Sequence, residues 1–194
     1  MTASEPKPRR WPHHLLVAFT VVALLAVSWV LLVFPRFDQA PVDPPRHSDA
    51  IFLLGGETYG AEMGYRMLDE GWGDTLVLSW VRTDLKECRE GYRGHEVICV
   101  RPEPVTTQGE AMLLPQLVET HGWDTVTVAT WPAHIPRTRL LVERCYEGEV
   151  RYRPTDYHYG RRERLAKAAY ETFSFGKAAL TPGCDDMLPF GLSD

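Results

Sequence analysis

The pattern of apolar and polar positions divides the chain into an apolar N-terminal stretch and an alternating body. Residues 15–34 form an uncharged run whose only polar side chains are Thr20, Ser28 and the indole of Trp29. At about 1.5 Å of rise per residue, a helix of this length spans the roughly 30 Å hydrocarbon core of a membrane. The run therefore predicts a transmembrane helix. A cleaved signal peptide is the alternative, but its apolar core is usually about 7–15 residues long, and no small-x-small cleavage site follows here.

The charges around this stretch predict its orientation. Lys7, Arg9 and Arg10 precede it, and the two basic residues that follow, Arg36 and Arg46, are interleaved with aspartates. By the positive-inside rule, the N-terminus stays in the cytoplasm and the rest of the chain is exported. We therefore expect a single-pass protein of the plasma membrane.

Four segments follow from this reading. Residues 1–14 are the cytoplasmic N-terminus, residues 15–34 the transmembrane helix, residues 35–48 a proline-rich, semi-extended spacer, and residues 49–194 an extracytoplasmic domain. From residue 11 onward the chain has 18 Lys and Arg against 25 Asp and Glu, a net charge of −7. Such an acidic body is not attracted to anionic lipid, so we expect it to stand off the membrane.

Beyond the spacer, short apolar runs alternate with helix-compatible stretches. Four apolar runs predict strands, at residues 49–54, 74–79, 96–100 and 124–130, and the more polar residues 149–153 make a fifth. Helices are predicted at residues 57–70, 107–121, 136–145 and 161–180. This alternation predicts an α/β, Rossmann-like three-layer domain with a mainly parallel sheet of about five strands.

Three local signals refine the predicted helices. Thr107 and Glu110 have the spacing of a capping box, in which each side chain satisfies a free backbone N–H. Pro115 is expected to bend or divide the helix that contains it. On the last helix, apolar residues on roughly one side predict the buried face: Leu165, Ala168, Ala169, Phe173 and Ala179.

Composition and charge exclude several classes of protein. With 44% hydrophobic and 24% charged residues, the chain is neither disordered nor collagen-like. A net charge of −5 argues against a nucleic-acid binder, which normally has a basic face. Neither H-E-x-x-H nor C-x-x-C occurs, so we predict no metal site, and no cofactor is predicted.

The four cysteines all lie in the part of the chain that we expect to be exported, where disulfides persist. Four cysteines allow three pairings. The most economical joins Cys88 to Cys99 and ties the C-terminal tail to the fourth helix through Cys145 and Cys184. Four reduced, buried thiols remain the alternative, which would fit a cytoplasmic body better.

Candidate ligand-binding residues follow the ends of the predicted strands, where parallel sheets bind ligands. Gly55, Gly56, Ser79, Thr106, Thr107 and Arg137 would hold an anion through backbone amides, helix N-termini and a guanidinium. His134 and Glu110 are the candidate catalytic residues, with His134 serving as acid, base or hydrogen-bond donor. Each has a plainer interpretation, since Thr107 and Glu110 fit a helix cap and surface His and Arg residues often have no role. Ser79 with Glu57 is a more speculative nucleophile and base.

The order of three motifs resembles the YdcF-like family, which includes the SanA and ElyC branches and is classed as domain of unknown function 218. The motifs are Asp49-Ala50-Ile51 with Leu54-Gly55-Gly56, then Thr106-Thr107-x-Gly109-Glu110-Ala111, then His134-x-Pro136-Arg137. The resemblance covers about residues 49–184 and is closest to the actinobacterial, membrane-anchored type. It implies a Rossmann-like fold, a link to cell-envelope or peptidoglycan biogenesis, and polar site residues at Thr107, Glu110, His134 and Arg137.

These observations predict an envelope protein whose exported domain binds, and could transform, an anionic small molecule or lipid-linked, phosphate-bearing intermediate. No residue order spells a complete catalytic triad or G-x-S-x-G. A non-catalytic scaffold or regulator of envelope enzymes is therefore one alternative. A protein that binds a nucleotide or S-adenosylmethionine is another, suggested by the fold alone.

Overall fold

The N-terminal stretch forms one helix that is long and apolar enough to cross a membrane. In the computed structural model, helix α1 (His13–Ser28) continues through a π-helical turn (Trp29–Val33) into α2 (Phe34–Asp38). The predicted spacer therefore begins later than expected, because residues 35–38 are helical and only 39–47 lack regular structure. The structure describes residues 13–55, 58–79, 85–156, 159–181 and 183–184.

The domain is built on one five-stranded sheet in the order β3-β2-β1-β4-β5, and all of its strand pairings are parallel. Each strand lies within one residue of the prediction: β1 (Ser48–Leu53), β2 (Gly73–Ser79), β3 (Glu96–Val100), β4 (Thr125–Thr130) and β5 (Glu149–Pro154). Apolar runs of this length predict buried strands well, because both faces of a parallel sheet are covered.

Helices cover both faces of the sheet. They are α3 (Thr58–Asp69), the short α4 (Glu87–Glu90), α5 (Thr107–His121), α6 (Ile135–Cys145), which follows a 3₁₀ turn (Pro132–His134), and α7 (Arg161–Ala179). Successive residues of β1 point to opposite faces. Ile51 and Leu53 pack in the cluster that contains α3, whereas Phe52 packs with Leu114 of α5 and Leu141 of α6. The predicted three-layer α/β fold is confirmed.

The start of α5 corrects the capping-box prediction. Thr106 is the cap, since its hydroxyl accepts a hydrogen bond from the Gly109 N–H at 3.2 Å. The Glu110 side chain instead turns toward the ends of β1 and β2. Gly109 is required here because a Cβ would lie 1.9 Å from the Pro104 carbonyl oxygen. Pro115 lies inside α5 without dividing it.

The buried face of α7 also differs from the prediction. Of the five apolar residues expected there, only Ala168 is buried. The buried residues are Ala168, Glu171, Ser174 and Ala178, whereas Leu165 and Phe173 are exposed. The prediction was wrong because it ranked positions by hydrophobicity, whereas α7 turns two polar residues inward and leaves apolar ones outside.

Both predicted disulfides are present. Cys88 in α4 is bonded to Cys99 in β3, and Cys145 at the end of α6 is bonded to Cys184. No cysteine of the chain is left as a free thiol. Since disulfides persist in oxidising compartments, this pairing indicates such a compartment for the body of the chain.

Candidate functional site

Most of the predicted site residues line one cavity at the carboxyl edge of the sheet. The chain leaves the adjacent strands β1 and β4 toward opposite edges of the sheet, and a crevice opens where such connections diverge. The cavity has a volume of about 160 Å³. Its lining includes Gly55, Thr106, Thr107, Glu110, His134 and Arg137. Ser79 reaches the cavity through Glu110, whereas Gly56 lies outside the described residues, as does Glu57, the speculative base.

Glu110 is a buried carboxyl group held between two strand ends. Its Oε1 accepts hydrogen bonds from the Ser79 hydroxyl at 2.5 Å and from the Gly55 N–H at 3.3 Å. Burial raises the pKa of Glu110 to about 7, although these hydrogen bonds and the Arg137 charge oppose the shift. Glu110 is therefore the group of the cavity that can gain or lose a proton near neutral pH.

Gly55 allows this arrangement because of its backbone conformation. Its φ angle is +71°, in the left-handed region that favours glycine, and a Cβ there would lie 2.9 Å from the ring of Trp131. The end of β1 can therefore approach Trp131 closely while its N–H points at Glu110. The Gly55 N–H is therefore used by the protein's own carboxyl group, and the predicted contact of this glycine with an anion stays a prediction.

His134 is a buried imidazole with both ring nitrogens hydrogen-bonded. Nδ1 lies 2.8 Å from the Thr130 hydroxyl, Nε2 lies 3.1 Å from the Thr107 hydroxyl, and the ring stacks on Trp131 with centroids 4.3 Å apart. Burial, helped by the positive charges of Arg137 and Lys167, lowers the pKa of His134 well below 6.5. The imidazole is therefore neutral at pH 7, and its structural role is to orient Thr107.

Arg137 is paired with a carboxylate that the sequence analysis did not identify as a site residue. Its Nε and Nη2 donate to the two carboxylate oxygens of Glu171, at 2.8 and 3.3 Å, and its Nη1 donates to Thr107 at 3.1 Å. Glu171 is fully buried. Much of the guanidinium charge is thereby neutralised within the protein, so Arg137 is a weaker anion ligand than the sequence suggested.

Glu171 could have been found from the spacing of α7. It lies three residues after Ala168 and three before Ser174, so all three share one helix face. A carboxylate between small residues on such a face indicates a buried partner, here Arg137. No comparable sequence pattern identifies Thr130 and Trp131 as site residues, because their contacts with His134 depend on the turn after β4.

A second cavity, of about 270 Å³, also borders Trp131. Asp38 of α2 and Arg164 and Lys167 of α7 line it. The Lys167 ammonium lies 5.2 Å from the centroid of the Trp131 ring. This cavity therefore lies between Trp131, which also lines the candidate site, and the end of the N-terminal helix.

Among the described residues, no group of three or more His, Cys, Asp or Glu side chains could hold a metal ion. The fold and site thus define a class of protein. It is a Rossmann-like α/β domain, preceded by an apolar helix, with buried polar side chains around a cavity at the switch point of its sheet. Comparison of the chain with family models, curated proteins and solved structures finds no match.

Proposed function

We propose that the protein is a membrane-anchored, extracytoplasmic member of the YdcF-like family that binds an anionic, phosphate-bearing ligand in cell-envelope or peptidoglycan biogenesis. The binding proposal rests on one observation: the carboxyl group of Glu110 is buried in the cavity and has a pKa of about 7. The family assignment rests on the three motifs that resemble YdcF-like proteins.

The placement in the envelope is supported by two features of the chain. The helix His13–Asp38 is long and apolar enough to span a membrane, and the flanking charges favour a cytoplasmic N-terminus. Two disulfides in the body favour an oxidising compartment. Together they favour a domain outside the plasma membrane.

The anion would be held mainly by backbone groups. The cavity is bordered by the start of α5, where the helix dipole is positive. The first N–H groups of a helix lack intrahelical partners, and here Thr106 caps the one of Gly109. Arg137 adds less attraction because Glu171 neutralises it. The remaining unfavourable charge is that of ionised Glu110, so the anion binds best when Glu110 is protonated.

This coupling predicts a specific pH dependence. If binding of the anion requires a proton on Glu110, affinity falls roughly tenfold for each pH unit above a pKa of about 7. Protonated Glu110 could also donate its proton to a bound phosphate oxygen, which is the step a general acid performs. His134, which is neutral, would position Thr107 rather than transfer the proton.

The size of the cavity favours a small anionic group over a nucleotide. Its volume of about 160 Å³ lies below the roughly 300–1,000 Å³ of pockets that enclose drug-sized ligands. A phosphate or a small phosphorylated headgroup fits this scale. The nucleotide or S-adenosylmethionine alternative therefore has less support.

A second candidate is a non-catalytic scaffold or regulator of envelope enzymes. It is favoured by the hydrogen bonds of Arg137, His134 and Thr107, which are made to the protein's own side chains. In that case these residues would hold α5, α6 and α7 together, and the cavity would have no ligand of its own.

Thermal-shift measurements on the full chain in detergent distinguish these candidates. The probes are inorganic phosphate, glycerol phosphate, AMP and S-adenosylmethionine, with sulfate included because its charge is constant near neutral pH. We expect phosphate and sulfate to stabilise the protein more at about pH 6 than at about pH 8. In Glu110→Gln, where the amide cannot ionise, the stabilisation by sulfate should be equal at both pH values.

Glu119→Gln is the matched control, since Glu119 is an exposed glutamate of the same helix. Its response should equal that of the wild type. If no anionic probe stabilises the wild type at either pH, the binding proposal is wrong and the scaffold candidate is favoured. Stabilisation by AMP or S-adenosylmethionine alone would favour the cofactor-type ligand instead.

A further inference from the structure

The outward side of α7 is apolar along most of its length. We call this surface the outer face of α7; it comprises Leu165, Ala169, Tyr170, Phe173 and Leu180, the last lying one residue beyond the helix. Phe173 and Leu180 are 72% and 77% exposed. A helix on the surface of a globular protein normally directs polar side chains outward, so a contiguous apolar face indicates a contact surface.

The outer face lies beside the end of the apolar N-terminal helix. The indole N–H of Trp29 donates to the Thr172 hydroxyl at 3.3 Å, and Thr172 directly precedes Phe173. The rings of Phe37 and Phe175 meet edge to face with centroids 5.9 Å apart. The apolar run therefore contacts α7 through residues near the C-terminal end of the run. Tryptophan at such an end is typical of a membrane–water interface.

The charges of α7 differ from those of the rest of the chain. The helix contains five basic and two acidic residues, although the whole protein has a net charge of −5. Arg161 and Arg162 are exposed at its start, and Lys177 lies near its end. Long basic side chains can reach lipid headgroups while the apolar residues between them enter the interface.

We infer that the outer face of α7 lies in the interfacial region of the same membrane that the N-terminal helix crosses. The inference rests on the membrane anchorage proposed above. It replaces the expectation that an acidic body stands off the lipid, because the charge is not evenly distributed and the helix that contacts Trp29 is both basic and apolar.

This placement bears on the ligand class. Tyr170 belongs to the outer face and also lines the cavity that contains Glu110 and His134. The cavity therefore opens beside the lipid headgroups. A lipid-linked phosphate could reach it without leaving the membrane, which makes such a ligand a better fit than a freely soluble anion.

Spin labelling of the full chain tests this placement. Single cysteines introduced by Phe173→Cys, Val22→Cys and Glu119→Cys are labelled with a nitroxide under non-reducing conditions, so that the native disulfides stay intact. The protein is inserted into vesicles of phosphatidylethanolamine and anionic phosphatidylglycerol. Collision with oxygen, which partitions into lipid, is compared with collision with a water-soluble nickel complex.

We expect the labels at positions 22 and 173 to collide preferentially with oxygen, and the label at 119, near the far end of α5, to collide preferentially with nickel. A label at 173 that behaves like the one at 119, while 22 remains in lipid, overturns the inference and leaves the anchorage standing. A label at 173 shielded from both reagents means that protein covers the face, which also overturns it. Nickel access at position 22 would refute the anchorage and the inference with it.

Discussion

Glu110 and His134 line the same cavity, and burial acts on both, but with opposite effects on their pKa values. Burial raises the pKa of Glu110 to about 7 and lowers that of His134 well below 6.5, because in each case the uncharged form is favoured. The carboxyl group, not the imidazole, is therefore the one that titrates near neutral pH. The sequence motif T-x-G-E made Glu110 a candidate site residue, and the structure places it in the cavity. The capping role that the motif suggested for Thr107 and Glu110 is performed by Thr106.

The raised pKa of Glu110 predicts a pH-dependent effect of Glu110→Gln on stability. Because the folded state holds this proton more tightly than the unfolded state, ionisation of Glu110 destabilises the wild type as pH rises from about 4.5 to about 7. The glutamine variant should therefore gain stability relative to the wild type over this range, by up to about 3 kcal/mol. Chemical denaturation of both proteins in detergent at several pH values measures the difference.

The control for this experiment is Glu119→Gln, whose carboxyl group is exposed on the same helix. Its stability should follow the wild-type pH profile. A constant stability difference between Glu110→Gln and the wild type across the whole range would show that Glu110 titrates normally.

At the scale of secondary-structure elements, the ion pair between Arg137 and Glu171 joins α6 to α7. Both side chains are almost completely buried, and the guanidinium makes two hydrogen bonds to the carboxylate and one to Thr107 of α5. A buried pair of this kind costs desolvation energy, so its removal as a unit is tolerated better than the loss of one partner. The contact also explains why α7 turns a glutamate inward.

We predict that Arg137→Met destabilises the protein by about 3–5 kcal/mol, because it leaves the Glu171 carboxylate buried without its cation. The double variant Arg137→Met/Glu171→Leu should regain most of this loss. Urea denaturation of the single and double variants measures the coupling between the two positions.

Arg139→Met is the comparison, since Arg139 is one-third exposed and pairs with Asp43 at 3.5 Å. Its loss should cost less than about 1 kcal/mol. If Arg137→Met is no more harmful than Arg139→Met, or the double variant is less stable than Arg137→Met, the pair does not contribute in this way.

At the scale of the whole molecule, two disulfides and the docked N-terminal helix connect the parts of the chain. Asp38 at the end of that helix pairs with Arg164 of α7, and Phe37 is buried against the domain. The Cys145–Cys184 bond closes a separation of 39 residues, whereas Cys88–Cys99 closes one of 11. The helix is therefore packed on the domain rather than separated from it by an extended spacer.

The two disulfides should contribute unequally to stability. Each is expected to stabilise the fold by about 2–4 kcal/mol, and in the chain-entropy model the longer loop gains about 1 kcal/mol more. Replacing Cys145 and Cys184 together by alanine should thus cost more than replacing Cys88 and Cys99. Equilibrium denaturation without reductant compares the two double variants.

Peptide mapping of the membrane-derived protein without reduction provides the accompanying check. It should recover the pairs 88–99 and 145–184. Four free thiols would contradict both bonds and would argue against an exported domain.

The positions of the strands along the chain, the long apolar helix and the most economical cysteine pairing could be predicted from the sequence, because each depends on a pattern along the chain. These patterns are local properties: apolar runs of five to seven residues, the glycines and prolines between them, and loop length. The chain likewise placed Gly55, Thr107, Glu110, His134 and Arg137 at strand ends, and the structure brings them to one cavity.

Local patterns did not determine the direction of the Glu110 side chain, the pairing of Arg137 with Glu171, or the face of α7 that is buried. Those features depend on partners roughly 30 or more residues away, since a buried polar group must find its hydrogen bonds wherever the packed helices place them.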